Sequence, residues 1–531
     1  MTAFPHPPCD AGVILAAPAA SPCAPSAAPW ILAATVIASS MAFIDGTVVN
    51  VALPALQKDL QASITDAQWV VEAYALLLAA LLLVGGAAGD RYGRRLVFLL
   101  GVVLFAAASV GCGLAGGARE LIVARAVQGI GAALLVPGSL AIIGASFSER
   151  ERGKAIGLWS GATAITAALG PVLGGWLIDQ WSWRAVFFIN VPLAAAVLAV
   201  SLWHMPESKN PRAGRLDWPG AVLATFGLAG VVYGLIESSN RGWNTGVVAA
   251  LVLGVLLLAG FAVAEIRQAA PMIPPSLFRS KTFLGANLLT LLLYAPLGGA
   301  LFFFPLNLVQ VQGYSATAAG AAFLPFILLM ALLSRWSGGL VDRYGAKPPL
   351  IAGPLVAAVG FALFAVPSAG GSYWLTFFPA IVVLGLGMAI SVAPLTTVVM
   401  NSVNAAFEGA ASGINNAASR VSVVVAIALF GVIFALPFNA SLDRNLARAQ
   451  APPAVVAAVE QQRSKLAAIE LPANIDDGVK AAVRYAIAQA FIDAFRVIMI
   501  IAALLAAASA VIAGGLIESR GRRGKARLRP A

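Results

Sequence analysis

Residues 85–95 read GGAAGDRYGRR, and residues 338–347 read GGLVDRYGAK. Both runs place Gly before Asp-Arg-Tyr-Gly and end on a basic residue, in a chain where charge is scarce. Of its 531 residues, 60% are apolar and only 11% charged, whereas a soluble domain carries about 25% charged residues. A charged turn that occurs twice in so apolar a chain marks two homologous halves, and the segments around it define what the halves are made of.

A bilayer core about 30 Å thick is crossed by about 20 apolar residues in helical conformation. Runs of that length lie at 30–56, 67–89, 96–116, 120–146, 153–178, 185–204, 217–237, 246–265, 283–306, 315–337, 349–366, 374–400, 408–436 and 488–516. They predict an all-α, multi-pass membrane protein with fourteen spans. Each charged turn follows one apolar helix and starts the next. Setting aside 205–281, which holds spans seven and eight, leaves two pseudo-symmetric six-helix bundles, with the turn after the second span of each.

The predicted organisation is therefore an N-terminal extension, 1–29, rich in Ala and Pro and expected to be disordered. A first bundle at 30–204 follows, then a linker with two extra spans at 205–281. The second bundle runs over 282–516 and includes an external loop at 437–487, and a basic tail occupies 517–531. Internal repeats of this kind recur in secondary transporters, with the substrate site between repeats near the bilayer midplane.

A net charge of +11 raises the question of nucleic acid, and its distribution answers it. Arg91, Arg94, Arg95, Arg150, Arg152, Lys154, Lys209, Arg212, Arg215, Arg267, Arg279, Lys281, Arg343, Lys347 and the basic residues of the tail share one face, while the short loops of the other face hold Lys58, Arg119, Arg184 and Arg241. This asymmetry is the positive-inside signature and predicts a cell-membrane protein with both termini in the cytoplasm. The partner this implies is the lipid bilayer, with no nucleic acid. A monomer is expected, and whether an accessory subunit docks on the external loop is left open.

Enzyme chemistry finds little to work with. The histidines are His6 in the extension and His204 at a helix end, and the cysteines are Cys9, Cys23 and Cys112, so neither a His-based triad nor a metal cluster is predicted. No phosphate-binding Gly-rich loop precedes a Lys, which leaves an ion gradient rather than ATP as the energy source. No cofactor is expected.

Charges inside the spans are the strongest functional signal, because each costs about 2.5–3.5 kcal/mol or more unless paired or hydrated. Asp45, in FIDGTVVNVALPAL (43–56), lies about 22 Å along its helix from Trp30. A carboxylate at that depth takes up a proton or seeks a cation, which suits it to exchange one for the other. Its bland alternative is a packing Asp bonded to Thr47 or Asn50. Glu72, in QWVVEAYALL (68–77), either shares a cavity with Asp45 or reaches the external surface. Arg125, in LIVARAVQGIGAA (121–133), needs a polar interior, whether it tunes a carboxyl or is satisfied by backbone carbonyls.

Taken together, these stretches resemble the major facilitator superfamily, and within it the branch of fourteen-span drug:proton antiporters. The first turn matches through Gly86, Asp90, Arg91, Gly93, Arg94 and Arg95, with Ala88 where Leu is usual, and the second through Asp342 and Arg343. The resemblance implies a gating loop that stabilises one conformation, and proton coupling at Asp45 and Arg125 with help from Glu72. Span five resembles the antiporter motif at Gly157, Gly170, Pro171, Gly174 and Gly175, with Thr166 replacing a Gly. It implies a bent, closely packed helix that favours exchange over co-transport. The function so implied is proton-coupled efflux of small amphipathic compounds, with a dedicated metabolite exporter or a proton symporter as alternatives. Tyr74, Trp159, Tyr294 and Phe303 are the candidate lining of a substrate cavity.

Overall fold

The computed structural model describes residues 27–209, 217–268, 271, 273–404, 407–472 and 474–518. Nearly all of the predicted extension and tail, with Arg212 and Arg215, lie outside the described residues. Every regular element among the described residues is helical. Fourteen helices among the described residues are long and apolar enough to cross a membrane.

Two compact units divide the chain. The first comprises residues up to Glu237 together with Trp243–Ala262 and Tyr314–Ala321. Its helices are α1 (Ala28–Asp59), α2 (Ile64–Tyr92), α3 (Arg94–Leu114), α4 (Ala118–Ser146), α5 (Glu149–Gln180), the short α6 (Ala185–Phe188), α7 (Asn190–His204), most of α8 (Trp218–Arg241) and of α9 (Thr245–Arg267), and α11 (Ala316–Ala321). Most of the two extra spans, α8 and α9, thus belongs to this unit.

Local chemistry sets the helix ends. Ser63 starts α2 with a reciprocal cap, its hydroxyl accepting from the Asp66 N–H at 3.1 Å while its own N–H donates to the Asp66 carboxylate at 2.9 Å. Gly93 ends it, with φ of 127°, a conformation open to Gly and strained for other residues. The chain then restarts as α3. Inside the unit, Ile31, Ala34, Ala38 and Met41 of α1 pack with Tyr74, Phe98, Phe105, Leu135 and Val197 in one buried cluster. Close approach is bought by small residues: a Cβ on Gly129 of α4 would run into the carbonyl of Tyr74 on α2.

The second unit comprises Ser238–Gly242, Val263–Gly313 and Ala322 onward. It holds α10 (Lys281–Leu306), α12 (Leu324–Gly338), α13 (Leu340–Tyr344), α14 (Lys347–Phe364), α15 (Phe377–Asn401), α16 (Glu408–Arg448), α17 (Pro453–Gln461) and α18 (Asp477–Leu516). Its interior is aromatic. Phe303 stacks on Phe434 at 4.6 Å, and Phe304 meets Phe323, Phe364 and Phe377 at 5.1, 5.0 and 5.3 Å. Pro305 lacks an N–H, and a wider π-helical turn follows at Asn307–Val311.

The segment predicted as an external loop, 437–487, differs from the sequence expectation. The helix predicted to stop at 436 runs on to Arg448, and the last helix starts at Asp477 rather than 488. At 41 and 40 residues these helices are about 60 Å long, twice the hydrocarbon thickness. Buried Leu442, Leu446, Val483 and Ile487 give them an apolar stripe to pair along beyond the bilayer. Only α17 and a 3-10 turn, Arg463–Ala468, remain between them, with Arg463 bridging Asp443 and Glu460.

Candidate functional site

The embedded charges of α1 and α4 meet in the first unit. Arg125 Nη1 donates to Asp45 Oδ2, and both side chains are essentially sealed, at 1% and 0% exposure. The same Nη1 donates to Gln128 Oε1 at 2.7 Å, while Nε donates to the Val70 carbonyl of α2 at 3.0 Å. Gln128 Nε2 in turn donates to Asp45 Oδ1 at 2.9 Å and to Ser109 Oγ at 2.8 Å. Asn190, at the start of α7, reaches the same two oxygens at 3.5 and 3.3 Å. Neither Thr47 nor Asn50 bonds Asp45: the Thr47 hydroxyl donates to the Ile44 carbonyl at 3.0 Å, and the Asn50 amide turns back to Gly46.

An aromatic floor completes the cluster. The Arg125 guanidinium carbon lies 4.3 Å from the Tyr74 ring centre, within the range of a cation–π attraction. The Tyr74 hydroxyl donates to the Ala42 carbonyl at 3.0 Å, which ties α2 to α1 beside the pair. Five helices therefore converge on one carboxyl that has a guanidinium and two amides around it.

Gln128 belongs to the stretch 121–133 whose resemblance to the family also carries Arg125, whereas Ser109 and Asn190 were not singled out by sequence. Gln128 sits three residues after Arg125, on the same helix face, which is a usable signal. Ser109 and Asn190 have none, being small neutral residues in ordinary apolar helices.

Glu72 is placed elsewhere. It is fully buried, and neither carboxyl oxygen has a hydrogen-bond partner among the described residues. Val70 and Tyr74, which hold Arg125, lie on the opposite side of α2 from it, since two residues turn a helix by 200°.

At the first charged turn, Arg94 Nε donates to Asp90 Oδ1 at 2.9 Å. A further carboxylate enters from the segment after α7. Glu207 accepts from the N–H groups of Arg95 and Leu96 at 3.1 and 3.0 Å, and Arg94 N–H donates to the Ser208 carbonyl at 2.9 Å. This carboxylate caps the start of α3, where its charge opposes the positive end of the helix dipole. Gly86 packs against Pro137, and a side chain on Gly93 would collide with Glu207. Arg91 lies 5.7 Å from the Tyr92 ring, and Arg95 Nη2 donates to the Leu202 carbonyl at 3.2 Å. In the second turn Asp342 and Arg343 are exposed.

On α5, Gly170 and Gly174 face Thr47 and Val48 of α1, and Gly175 faces the Ala316 carbonyl of α11. Pro171 accepts the close approach of Gly320, Gly157 has open space, and Thr166 donates to Ser40 Oγ at 2.8 Å. Trp159 Nε1 donates to Ser39 Oγ at 3.1 Å. In the second unit, Phe303 is fully buried and Tyr294 half-buried. An apolar cavity there is lined by Leu297, Leu301, Phe304, Phe326 and Ile381 among others, and by neither of those two.

A multi-pass helical protein with a sealed ion pair in its first unit has the build of a membrane transporter. The Major Facilitator Superfamily profile matches residues 35–441. The multidrug resistance protein Stp of Mycobacterium tuberculosis is 35% identical over 429 residues, covering 80% of this chain and 79% of that one. The tetracenomycin C resistance and export protein of Streptomyces glaucescens is 34% identical over 441 residues, 81% of each. A bacterial homolog to the human lysosomal transporter Spinster, solved in an inward-facing and unoccupied conformation, shares the fold with a TM-score of 0.63. It is 18% identical, over 94% of this chain and 100% of that one. The chain belongs to the major facilitator superfamily.

Proposed function

We propose that the protein exports small amphipathic compounds in exchange for protons, by alternating access across the cell membrane, with both termini in the cytoplasm. The observation that carries this reading is the sealed pairing of Asp45 with Arg125, held by Gln128 and Asn190. A proton arriving at Asp45 cancels its charge and frees Arg125 to its other acceptors. Loss of that proton restores the pair. Each change alters what holds α1, α4 and α7 together, which is how a bound proton can bias one conformation over another. The name of the Streptomyces glaucescens relative states resistance and export, and that of the Mycobacterium tuberculosis relative multidrug resistance, which supports the direction of transport and the substrate class.

The loop charges Asp90, Arg91, Arg94 and Arg95, with Glu207, form the conformational latch of this reading, and Asp342 and Arg343 its counterpart. Gly170 and Gly174, with Thr166, keep α5 tight against α1, and Pro171 and Gly175 keep it tight against α11. Of the aromatic candidates, the half-buried Tyr294 supplies surface to the substrate path, whereas Tyr74, Trp159 and Phe303 pack inside their own units. The working unit is a monomer.

Everted membrane vesicles test the exchange. Acidifying their lumen drives uptake of ethidium, or of another cytotoxic compound to which expression confers resistance. Asp45→Asn abolishes that uptake while the protein remains in the membrane at its normal level. Uptake by the variant equal to that of the parent removes Asp45 from the mechanism. Uptake driven only by an alkaline lumen indicates a symporter.

A further inference from the structure

Glu72 is the buried acid that the Asp45 cluster does not use. It lies about 12 Å along α2 from its first residue, at 0% exposure, with both carboxyl oxygens enclosed and without a hydrogen-bond partner among the described residues. A carboxylate in such a place has given up its water and received no donor or cation in return. The site therefore accepts the group as a neutral acid.

What encloses Glu72 follows from the helix it sits on. Trp69, three residues earlier, shares its face. The Trp69 Nε1–H donates to Glu237 Oε1 of α8 at 3.1 Å, and its ring lies 6.1 Å from that of Tyr233, one turn back on α8. Glu237 is itself buried, at 7% exposure. The face of α2 that carries Glu72 is thus the face on which the extra helix docks. Of the charged or titratable groups brought by the other helices against α2, Asp45 of α1 and Arg125 of α4 are tied to each other beside Val70 and Tyr74, and Cys112 of α3 donates to Gln128 in the same cluster. From α8, Glu237, an acid, and the Tyr233 ring meet Trp69, and no donor from α8 reaches the Glu72 carboxyl among the described residues.

We propose that Glu72 is a second proton-binding carboxyl, separate from the Asp45 cluster and closed off from water by the docking of α8 on α2 through Trp69. The extra helix then acts as a gate: the proton on Glu72 exchanges with water only when α8 lifts. Any part for this proton in transport rests on the exchange reading above, but its presence and its shielding do not.

Infrared spectroscopy of the full chain in lipid nanodiscs tests both statements without a substrate. At pH 8 the parent protein shows the C=O stretching band of a protonated carboxyl that Glu72→Gln lacks and Asp45→Asn retains. Identical spectra for the parent and Glu72→Gln in this region overturn the proposal. After transfer to D2O, Trp69→Ala shifts that band at least tenfold faster than the parent does. Trp69→Phe, which keeps a ring and deletes only the hydrogen bond to Glu237, serves the same purpose if the alanine variant does not fold. An unchanged exchange rate in a folded variant overturns the gating by α8. Loss of transport in Asp45→Asn bears on the exchange reading alone, so the two can fail separately.

Discussion

Asp45 and Glu72 are both acids with no exposure, in the same unit and on neighbouring helices, yet their surroundings are opposites. Asp45 takes bonds from a guanidinium and two side-chain amides. Glu72 takes none among the described residues. Burial alone therefore says little about what a carboxyl does in a membrane protein. The donors aimed at it are what set the two sites apart, three at Asp45 and none among the described residues at Glu72.

The largest effect that would break this comparison comes from Arg125. Arg125→Leu leaves Asp45 buried without its cation, and removing one partner of a buried pair costs about 3–5 kcal/mol. A fall in the apparent melting temperature in detergent is expected, with partial recovery in the double variant Asp45→Asn/Arg125→Leu. A full-sized loss that the second change does not relieve would mean that Arg125 serves Val70 and Tyr74 more than Asp45. Next in size is Gln128→Leu, which deletes the Nε2 donor shared by Asp45 and Ser109; about 1–3 kcal/mol is expected from the acceptors left unmet. The same thermal assay measures it. The smallest effect is expected at Glu72. Glu72→Leu removes a polar group that has no bond to lose, so stability should stay within about 1 kcal/mol of the parent or rise. A loss as large as that of Gln128→Leu would show that Glu72 has a partner after all and would erase the contrast.

The two charged turns extend the same lesson. They share Asp-Arg-Tyr-Gly and a glycine at positive φ, 127° at Gly93 and 82° at Gly345. In the first copy Asp90 pairs with Arg94, and Glu207 closes over the next helix start. In the second, Asp342 and Arg343 are exposed. The repeat was legible, and so was its place after the second helix of each half. Glu207 was not, because it stands in a short polar segment after α7, where nothing in its neighbours distinguishes a helix cap from a solvated acid.

Legibility followed cost. An Asp or Arg within twenty apolar residues is so unfavourable unpaired that Asp45, Glu72 and Arg125 stood out as soon as the spans were drawn. Serine, asparagine and glutamine carry no such penalty, so their presence in a span is unremarkable. Ser109 and Asn190 became part of the site only through the packing of α3 on α4 and α7 and of α7 on α1. The reach of α16 and α18 past the bilayer was hidden for a related reason. Their outer turns mix charged and apolar residues, and a pairing stripe shows itself only once a partner helix lies alongside.

Amino-acid order alone determined that this chain lives in a membrane, crosses it fourteen times and repeats a six-helix body, because hydrocarbon rejects unpaired backbone and charge whatever the tertiary arrangement. Only the packed structure decided that Asp45 and Arg125 would meet while Glu72 turned away from both. Side-chain partnership depends on which helix faces touch and at what height, and those are properties of the assembled helices together.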